Sequence, residues 1–273
     1  MLRRLVRAAI AEDVGHGDIT THAIVPIDRK ASAAITAKAG GILAGLPVAR
    51  EVFRCLDRRM RFKTFVQDGS LLRPGARVLM FEGSLRTILT GERVALNFLS
   101  RLSGIATITR AFVRQASAHG VTILDTRKTT PTLRELEKYA VRMGGGRNHR
   151  LTLSDAVLIK DNHIAAAGSL GRAVALVRAG SRGRRIPVQV EAQNLPEVRE
   201  ALAARAEIVM LDNLPHGTLR KALRLMRGRA KTEISGGVNL SSVRRLARLG
   251  PDYISVGALT HSAPALDFSL ELL

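Results

Sequence analysis

The sequence predicts an α/β protein in which an incomplete α/β barrel follows a separate N-terminal α+β domain. From about residue 120 onward, short runs rich in Val and Ile alternate with longer amphipathic segments, as expected for successive βα units that share a parallel sheet. The earlier part of the chain lacks this rhythm. With 273 residues, 46% of them hydrophobic, the chain can fill the cores of a barrel and a modest second domain.

The N-terminal part contains the patterns of a small mixed domain. Helices are predicted over 2–12 and 46–56, and strands over 31–39, 60–66 and 76–85. The first helix has early arginines and acidic residues soon after, which is not typical of a signal peptide.

A long helical segment, 86–117, is expected to lead into the barrel and to be broken near Ser103 and Gly104. The chain ends in a strand-like alternation that is expected to return to the first domain. We therefore predict a first domain of 1–104 plus 265–273 and a barrel of 105–264.

Six apolar runs are the predicted strands of the barrel. In chain order they are 121–126, 155–160, 187–192, 207–212, 232–235 and 252–257. Six or seven βα units suit an incomplete, open barrel better than a full eight-unit one.

The charge balance is strongly basic, because 43 Lys and Arg face 23 Asp and Glu, for a net charge of +20. Such a surface attracts anions of any kind, including nucleic acid. However, the chain has no Trp, two Tyr and seven Phe, and therefore few platforms for stacking bases. We interpret Arg-rich runs such as 182–187 and 219–231 as solvated helix faces. A basic nucleic-acid-binding protein is the remote alternative, and no nucleic-acid partner is expected.

Cysteine content and hydropathy favour a cytoplasmic protein. The single cysteine, Cys55, lies in a predicted helix as a buried, inert thiol, and one cysteine excludes a disulfide within the chain. No apolar run approaches the ~18 residues that span a bilayer. We therefore expect neither a membrane partner nor an oxidising compartment.

Polar residues follow each predicted barrel strand, at the edge where the active sites of such barrels form. Cations follow the first two strands, carboxylates follow the next two, and glycine-rich turns follow the last two. In this order the residues are Arg127, Lys128 and Lys160, then Glu191 and Asp212, then Ser235, Gly236, Gly237 and Gly257.

These three groups have different chemical uses. Arg and Lys clamp carboxylates. Two carboxylates on adjacent strands suit ribose hydroxyls, Mg²⁺ or a developing oxocarbenium ion. Backbone N–H groups of glycine-rich turns suit a phosphate. The pattern predicts an enzyme that joins two small polyanionic substrates.

Each of these residues also has a purely structural interpretation. Asp212 could instead belong to a turn or cap a helix. Residues 235–237 could form only a tight turn, and residues 127–128 could belong to a solvated loop. His163 is predicted to cap the next helix. The segment 144–150, three glycines followed by Arg-Asn-His-Arg, is typical of a mobile anion-binding loop, and its His spacing is not that of a zinc site.

Together these motifs resemble one family. The segments DTRKTTPTLRELEKYAVRMGGGRNHR and LSDAVLIKDNHI are similar to the core of quinolinate phosphoribosyltransferase, also called carboxylating nicotinate-nucleotide pyrophosphorylase. The resemblance extends over nearly the whole chain, through EDVGHGDIT, GERVALNFLSRLSGIAT, VEAQNL, LDN, EISGGVN and VGALTHS.

The resemblance implies an N-terminal α/β sandwich domain, an incomplete α/β barrel, and a homodimer or higher oligomer with shared active sites. It implies synthesis of nicotinate mononucleotide from quinolinate and phosphoribosyl pyrophosphate with Mg²⁺, releasing CO₂ and pyrophosphate. This reaction belongs to de novo NAD synthesis.

Residue roles follow from the same resemblance. The residues expected to bind quinolinate are Arg127, His149, Arg150 and Lys160, with Arg93 arriving from the partner subunit. The catalytic candidates are Lys128, close to both substrates, and Glu191 and Asp212, which are expected to hold the ribose hydroxyls and the metal directly or through water. Phosphate groups are expected at Ser235, Gly236, Gly257 and His261.

The chain departs from the family pattern at Thr132, where Gly is usual, and in a less acidic 188–195 segment. Two related enzymes are rivals. One is a molybdenum-transport-associated paralogue with a different acceptor base, which usually diverges at the intact 160–163 segment. The other is nicotinate phosphoribosyltransferase, whose motifs do not match.

Overall fold

The computed structural model describes residues 2–181 and 186–273, so most of the Arg-rich run 182–187 lies outside the described residues. The described chain forms two compact units. The first comprises residues up to 110 together with 130–145 and 263–273, and the second comprises 111–129 and 146–262. The sequence-based division at 104 assigns 130–145 to the barrel, whereas this division assigns it to the first unit.

The secondary structure follows the predicted order of elements. The helices are α1 (Leu2–Val14), α2 (Ile19–Ile24), α3 (Leu46–Leu56), α4 (Leu85–Ala116), α5 (Arg134–Met143), α6 (Asp161–Ala167), α7 (Leu170–Gly180), α8 (Leu195–Ala203), α9 (His216–Met226), α10 (Leu240–Ala247) and α11 (Ala258–His261). The strands are β1 (Lys30–Ala37), β2 (Gly41–Ile42), β3 (Arg61–Thr64), β4 (Leu71–Leu72), β5 (Arg77–Ser84), β6 (Thr122–Leu124), β7 (Val157–Ile159), β8 (Val188–Ala192), β9 (Ile208–Asp212), β10 (Lys231–Ser235), β11 (Tyr253–Ser255) and β12 (Phe268–Leu272).

The first unit is built on an antiparallel sheet in the order β12-β1-β5-β3. The C-terminal strand β12 pairs with β1, with Phe268 opposite Ala37. Helix α3 buries apolar residues at helical spacing, among them Val52 and Phe53. The Phe53 ring lies 4.3 Å from that of Phe81 in β5, centroid to centroid, so the helix packs on the sheet through aromatic contact.

The expected break at Ser103 and Gly104 is wrong, because α4 continues through both residues. The Ser103 hydroxyl accepts a hydrogen bond from the Ala44 N–H at 3.0 Å and lies 3.1 Å from its carbonyl. A Cβ on Gly104 would come within 2.0 Å of the Pro264 carbonyl. The pair therefore serves close packing within the first unit rather than interruption of the helix.

The second unit contains a parallel sheet in the order β6-β11-β10-β9-β8-β7, which confirms the open barrel and all six predicted strands. The two edges of this sheet are β6 and β7, the first two barrel strands in the chain. No strand ladder joins β6 to β7 within the described residues. Along the β6 edge, Arg147 forms a single parallel bridge with Leu124. Because all six strands are parallel, their carboxyl ends lie along the same edge of the sheet.

Two observations bear on the environment of the chain. None of the described helices is long and apolar enough to cross a membrane. Cys55 lies in α3 and is half-buried, and burial, followed by the Glu51 carboxylate, raises the pKa of its thiol. The thiol is therefore less reactive than a free cysteine, but the prediction that it is buried is wrong, because Cys55 is only partly covered.

Candidate active site

A cavity of about 670 Å³ opens at the carboxyl ends of the parallel strands in the second unit. Its lining contains every predicted site residue except Arg93, namely Arg127, Lys128, His149, Arg150, Lys160, Glu191, Asp212, Ser235, Gly236, Gly257 and His261. Arg93 lies in α4, in the first unit. Its arrival from a partner subunit stays a prediction.

The segment 147–150 brings a histidine and an arginine to the cavity. Asp125, fully buried at the end of β6, accepts hydrogen bonds from the His149 N–H at 2.9 Å and the Asn148 amide at 2.5 Å. The Arg147 backbone exchanges hydrogen bonds with Ile123 and Asp125. The segment predicted to be a mobile loop is therefore tied to β6.

Arg127 and Arg150 form a cationic pair in the cavity. The Nε atoms of both guanidinium groups are buried and have no hydrogen-bond partner within the described residues. Burial lowers the pKa of Arg150, and the charge of Arg127 lowers it further, against the opposing charge of Asp155. Two partly buried guanidinium groups that repel each other, each with an unpaired Nε–H, favour an anion beside them.

Lys160 follows β7 and reaches across to the end of β8. Its Nζ lies 3.0 Å from Oε2 of Glu191, whose side chain is only 7% exposed whereas that of Lys160 is 48% exposed. The ion pair compensates the buried carboxylate, and it leaves the ammonium group accessible from the cavity.

The ends of β9 and β10 meet in a tight pair of turns. Asp212 lies opposite Ser235 in the ladder, and the Asn213 N–H donates to the Ser235 carbonyl at 3.0 Å. Gly236 has φ +92°, and a Cβ there would lie 2.2 Å from the Asn213 amide oxygen, so this position requires glycine. Within the described residues, the backbone N–H groups of Gly236 and Gly237 donate no hydrogen bond, which suits them to bind phosphate.

The Lys128 and His261 side chains converge over Gly257 after β11. A Cβ on Gly257 would lie 3.2 Å from both the Lys128 Cδ and the His261 Nε2. The Thr260 hydroxyl donates to the Lys128 carbonyl at 2.7 Å and fixes the backbone of that loop. A second cationic corner therefore lies beside the glycine turns.

Some of the structural alternatives can now be decided. His163 caps α6 as predicted, because its Nδ1 accepts the Lys160 N–H at 2.9 Å. Asp212 does not cap α9, whose N-cap residue is Pro215. Instead it accepts a hydrogen bond from the Asn213 amide at 2.8 Å and lines the cavity.

Glu233 is a cavity residue that the sequence analysis missed. It lies in β10, is 1% exposed, and accepts a hydrogen bond from the Gln189 amide at 2.8 Å. Burial raises the pKa of Glu233 to about 7, against the opposing influences of Ser255, Gln189 and Lys160.

A sequence signal for Glu233 was present. Residues two apart in a strand point to the same face, so the residue two before each predicted strand-end group lies beneath it. This rule places Glu233 under Ser235 and Gln189 under Glu191.

Glu191 and Asp212 are chemically suited to Mg²⁺. No cluster of three or more His, Cys, Asp or Glu side chains that could hold a metal occurs within the described residues. However, Mg²⁺ is commonly held by one or two carboxylates plus substrate phosphates rather than by a cage of protein ligands. Two carboxylates in a cavity with phosphate-binding turns fit that pattern.

Comparison with known proteins gives matches over almost the whole chain. Residues 18–103 match the family model of the quinolinate phosphoribosyl transferase N-terminal domain, and residues 105–271 match that of the C-terminal domain. A protein of Bacillus subtilis (strain 168), named a probable nicotinate-nucleotide pyrophosphorylase (carboxylating), is 43% identical over 271 residues, covering 99% of this chain and 93% of its own length.

Solved structures agree with these matches. A crystal structure of NadC from Streptococcus pyogenes has a TM-score of 0.95 and 45% identity, covering 100% of this chain and 97% of its own. The structure of the nicotinate-nucleotide pyrophosphorylase from Francisella tularensis has a TM-score of 0.94 and 41% identity, covering 100% of this chain and 96% of its own.

Proposed function

This chain belongs to the quinolinate phosphoribosyl transferase family, and we propose that it makes nicotinate mononucleotide from quinolinate and phosphoribosyl pyrophosphate, releasing CO₂ and pyrophosphate. The observation that carries the proposal is the pair of partly buried arginines Arg127 and Arg150, each with a buried Nε that lacks a partner in the described chain. A dicarboxylate supplies the acceptors that these groups need. The paralogue and the nicotinate enzyme are not favoured, because the matches point to the carboxylating family.

Quinolinate binds at the cationic end of the cavity. Arg127 and Arg150 hold its carboxylates, and His149 and Lys160, which line the same cavity, complete the binding group. Lys160 exchanges part of its contact with Glu191 for the substrate, which its half-exposed side chain allows. A bound dianion relieves the repulsion between the two arginines.

The phosphoribosyl donor binds at the glycine-rich turns that follow β10 and β11. The N–H groups of Gly236 and Gly237, the Ser235 hydroxyl and the Gly257 turn receive its phosphate groups. Lys128 adds positive charge over Gly257, and the His261 ring lies at the same point. Glu191 and Asp212, which line the same cavity, are then left to face the ribose.

Glu191 and Asp212 stabilise the reacting ribose. The quinolinate nitrogen forms a bond to the ribose C1 as the bond from C1 to pyrophosphate breaks, and positive charge builds on the ribose ring. Carboxylates fixed in a buried site favour that charge without reorganising. When bound, Mg²⁺ supplies further neutralisation of the pyrophosphate, with Glu191 and Asp212 as its protein ligands, directly or through water.

Decarboxylation follows from the charge on the pyridine ring. Once its nitrogen is bonded to C1, the ring accepts the electron pair left at C2 when CO₂ departs, and a proton then replaces CO₂. The protein orients the substrates and neutralises charge. No covalent intermediate with the protein is required.

A homodimer with shared sites completes the proposal. Large apolar side chains are exposed on the first unit at Ile19, Ile24 and Ile27, which are 84%, 74% and 80% exposed. Patches of this kind mark interaction surfaces. In such a dimer Arg93 of one subunit reaches the cavity of the other.

The half-buried lone thiol Cys55 is compatible with a cytoplasmic location.

The proposal is tested by offering two acceptor acids. Purified protein with Mg²⁺ and phosphoribosyl pyrophosphate is assayed with quinolinate and, separately, with nicotinate. We expect product only with quinolinate, because the arginine pair needs two carboxylates. Equal turnover of nicotinate would contradict the assignment of Arg127 and Arg150 as a dicarboxylate clamp.

A further inference from the structure

The floor of the cavity carries a buried polar cluster for which the proposed chemistry has no use. It consists of Gln189 from β8, Glu233 from β10 and Ser255 from β11, all of them nearly inaccessible to solvent. The interior layers of α/β barrels are usually filled by Val, Ile and Leu. Polar side chains in this layer lower stability unless they are satisfied.

This cluster is not fully satisfied. Glu233 Oε2 accepts the Gln189 amide N–H at 2.8 Å. Glu233 Oε1 and the Ser255 hydroxyl are buried and neither has a partner within hydrogen-bonding distance in the described residues, although the hydroxyl is near enough to Glu233 to lower its pKa. A buried carboxyl oxygen without a partner lowers stability, so the arrangement points to a group on which Glu233 acts.

That group is His149. Its Nε2 lies 3.7 Å from Oε2 of Glu233, the oxygen that Gln189 holds in place. The backbone N–H of Arg150 donates to the His149 Nδ1 at 2.8 Å. Since Nδ1 accepts, the ring proton of neutral His149 is on Nε2, the nitrogen that faces Glu233.

The ring of His149 is thus positioned from two sides. The backbone of Arg150 fixes one nitrogen, and Glu233 attracts the N–H of the other. Second partners of this kind set the tautomer and orientation of functional histidines. The Nε2–H group of His149 then stays available as a hydrogen-bond donor in the cavity that Arg127 and Arg150 also line.

We propose that Glu233, held by Gln189, is a positioning residue that keeps the Nε2–H of His149 oriented for binding the acceptor acid. The proposal rests on the proposed function, because it takes the acceptor acid to be quinolinate. Glu233 lies at the floor of the cavity and is only 1% exposed, so it offers a ligand almost no surface. Its influence therefore reaches the substrate through His149.

Two substitutions at this position separate orientation from charge. Glu233→Gln keeps an oxygen where Oε2 accepts from Gln189 and faces His149, and its NH₂ group can donate toward Ser255. Glu233→Leu fills the same space with no acceptor. We expect Leu to raise the KM for quinolinate at least tenfold while the KM for phosphoribosyl pyrophosphate changes less than twofold, and Gln to stay within threefold of the wild-type protein.

Gln189→Leu provides a second route if Glu233→Leu folds poorly, because it leaves Glu233 in place without its fixed partner. It is expected to raise the quinolinate KM in the same selective way. Thr232→Val is the matched control, since it removes a buried hydroxyl of the same strand that bonds Asp252 outside the cavity. It should lower stability and leave both KM values unchanged.

A spectroscopic readout tests the proposal without turnover. Nitrogen-15 chemical shifts of labelled histidine in the intact protein should show His149 as the Nε2–H tautomer in wild type and Glu233→Gln, and a tautomer mixture in Glu233→Leu. An unchanged tautomer and unchanged quinolinate KM in Glu233→Leu would overturn the proposal. A rise in the quinolinate KM of Glu233→Gln as large as that of Glu233→Leu would also overturn the proposal. It would show that the carboxyl group acts through its charge or through proton transfer. If the proposed function is wrong, the wild-type protein will show no turnover of quinolinate. The tautomer of His149 in the nitrogen-15 spectra then tests the positioning role of Glu233 without any activity measurement.

Discussion

The ammonium group of Lys160 lies 3.0 Å from Oε2 of Glu191, and this contact links the two halves of the proposed chemistry. Lys160 belongs to the group that binds the acceptor acid, and Glu191 to the pair that stabilises the ribose. Because Glu191 is buried, removing Lys160 would leave its carboxylate without the paired cation.

Replacing Lys160 by Ala should therefore damage the enzyme more than loss of one substrate contact would. We expect kcat/KM for quinolinate to fall by about 10³ or more, since a charged contact is lost and a buried carboxylate is left without its partner. The fold should persist, as judged by circular dichroism. Lys221→Ala, an exposed position in α9, is the matched control and should keep full activity. Unchanged turnover in Lys160→Ala would remove this residue from the site.

Mixing inactive variants tests the shared site. Arg93→Ala and Arg127→Ala should each abolish turnover, yet heterodimers of the two should contain one intact site. Random exchange of subunits should restore about a quarter of the wild-type activity. Arg127→Ala mixed with Lys160→Ala is the control and should restore none, because both residues line one cavity of the same chain. If the first mixture stays inactive although exchange is demonstrated, Arg93 does not act across an interface.

Thr132 is expected to strain the backbone. It has φ +67°, a left-handed conformation that is unfavourable for a β-branched residue by about 1–2 kcal/mol. Thr132→Gly should relieve this strain, and the greater freedom of glycine in the unfolded chain offsets part of the gain. We expect a net stabilisation of up to about 1 kcal/mol.

The measurement is the free energy of unfolding from urea titration. Thr64→Gly, at an exposed position in β3 without positive φ, is the control and should be destabilising. A lower stability of Thr132→Gly would show that the turn does not carry the expected strain.

Glu233 should make stability depend on pH. Its pKa rises from 4.5 to about 7 in the folded protein, so the folded state binds more protons than the unfolded state between these values. The resulting stabilisation is complete below about pH 4.5 and is lost as pH rises through 7. The loss is on the order of 3 kcal/mol.

Comparing the unfolding free energies of wild type and Glu233→Gln at pH 5.5 and 8.5 isolates this contribution. Wild type should lose more stability than the variant as pH rises. Parallel pH dependences would show that burial does not hold the Glu233 carboxyl group protonated.

Local patterns were enough to predict the long strands and most helices of this fold, but not α2 or the two-residue strands β2 and β4. The helix over 46–56 and the six barrel strands came from periodicity alone, because their apolar residues repeat at helical or strand spacing. The break at Ser103 and Gly104 was predicted wrongly because small residues often end helices, whereas here they admit Ala44 and Pro264, which are distant in sequence. Such contacts cannot be read from local sequence.

The residues of the candidate site were also predicted only in part. Residues directly after the strands were found because βα barrels place function there. Glu233 and Asp125 were missed because they act beneath the cavity or behind a loop. The left-handed Thr132 agrees with the glycine usual in the family, which only the resemblance indicated.

The most direct test of the central claim follows both products of a single reaction. Quinolinate labelled with carbon-14 in its 2-carboxylate is incubated with the protein, Mg²⁺ and phosphoribosyl pyrophosphate, and labelled CO₂ and nicotinate mononucleotide are quantified together. We predict equimolar CO₂ and nucleotide, and no CO₂ without the ribosyl donor, because decarboxylation requires the ring nitrogen to be bonded to ribose. Neither product, or nucleotide that retains the label, would contradict the proposed reaction.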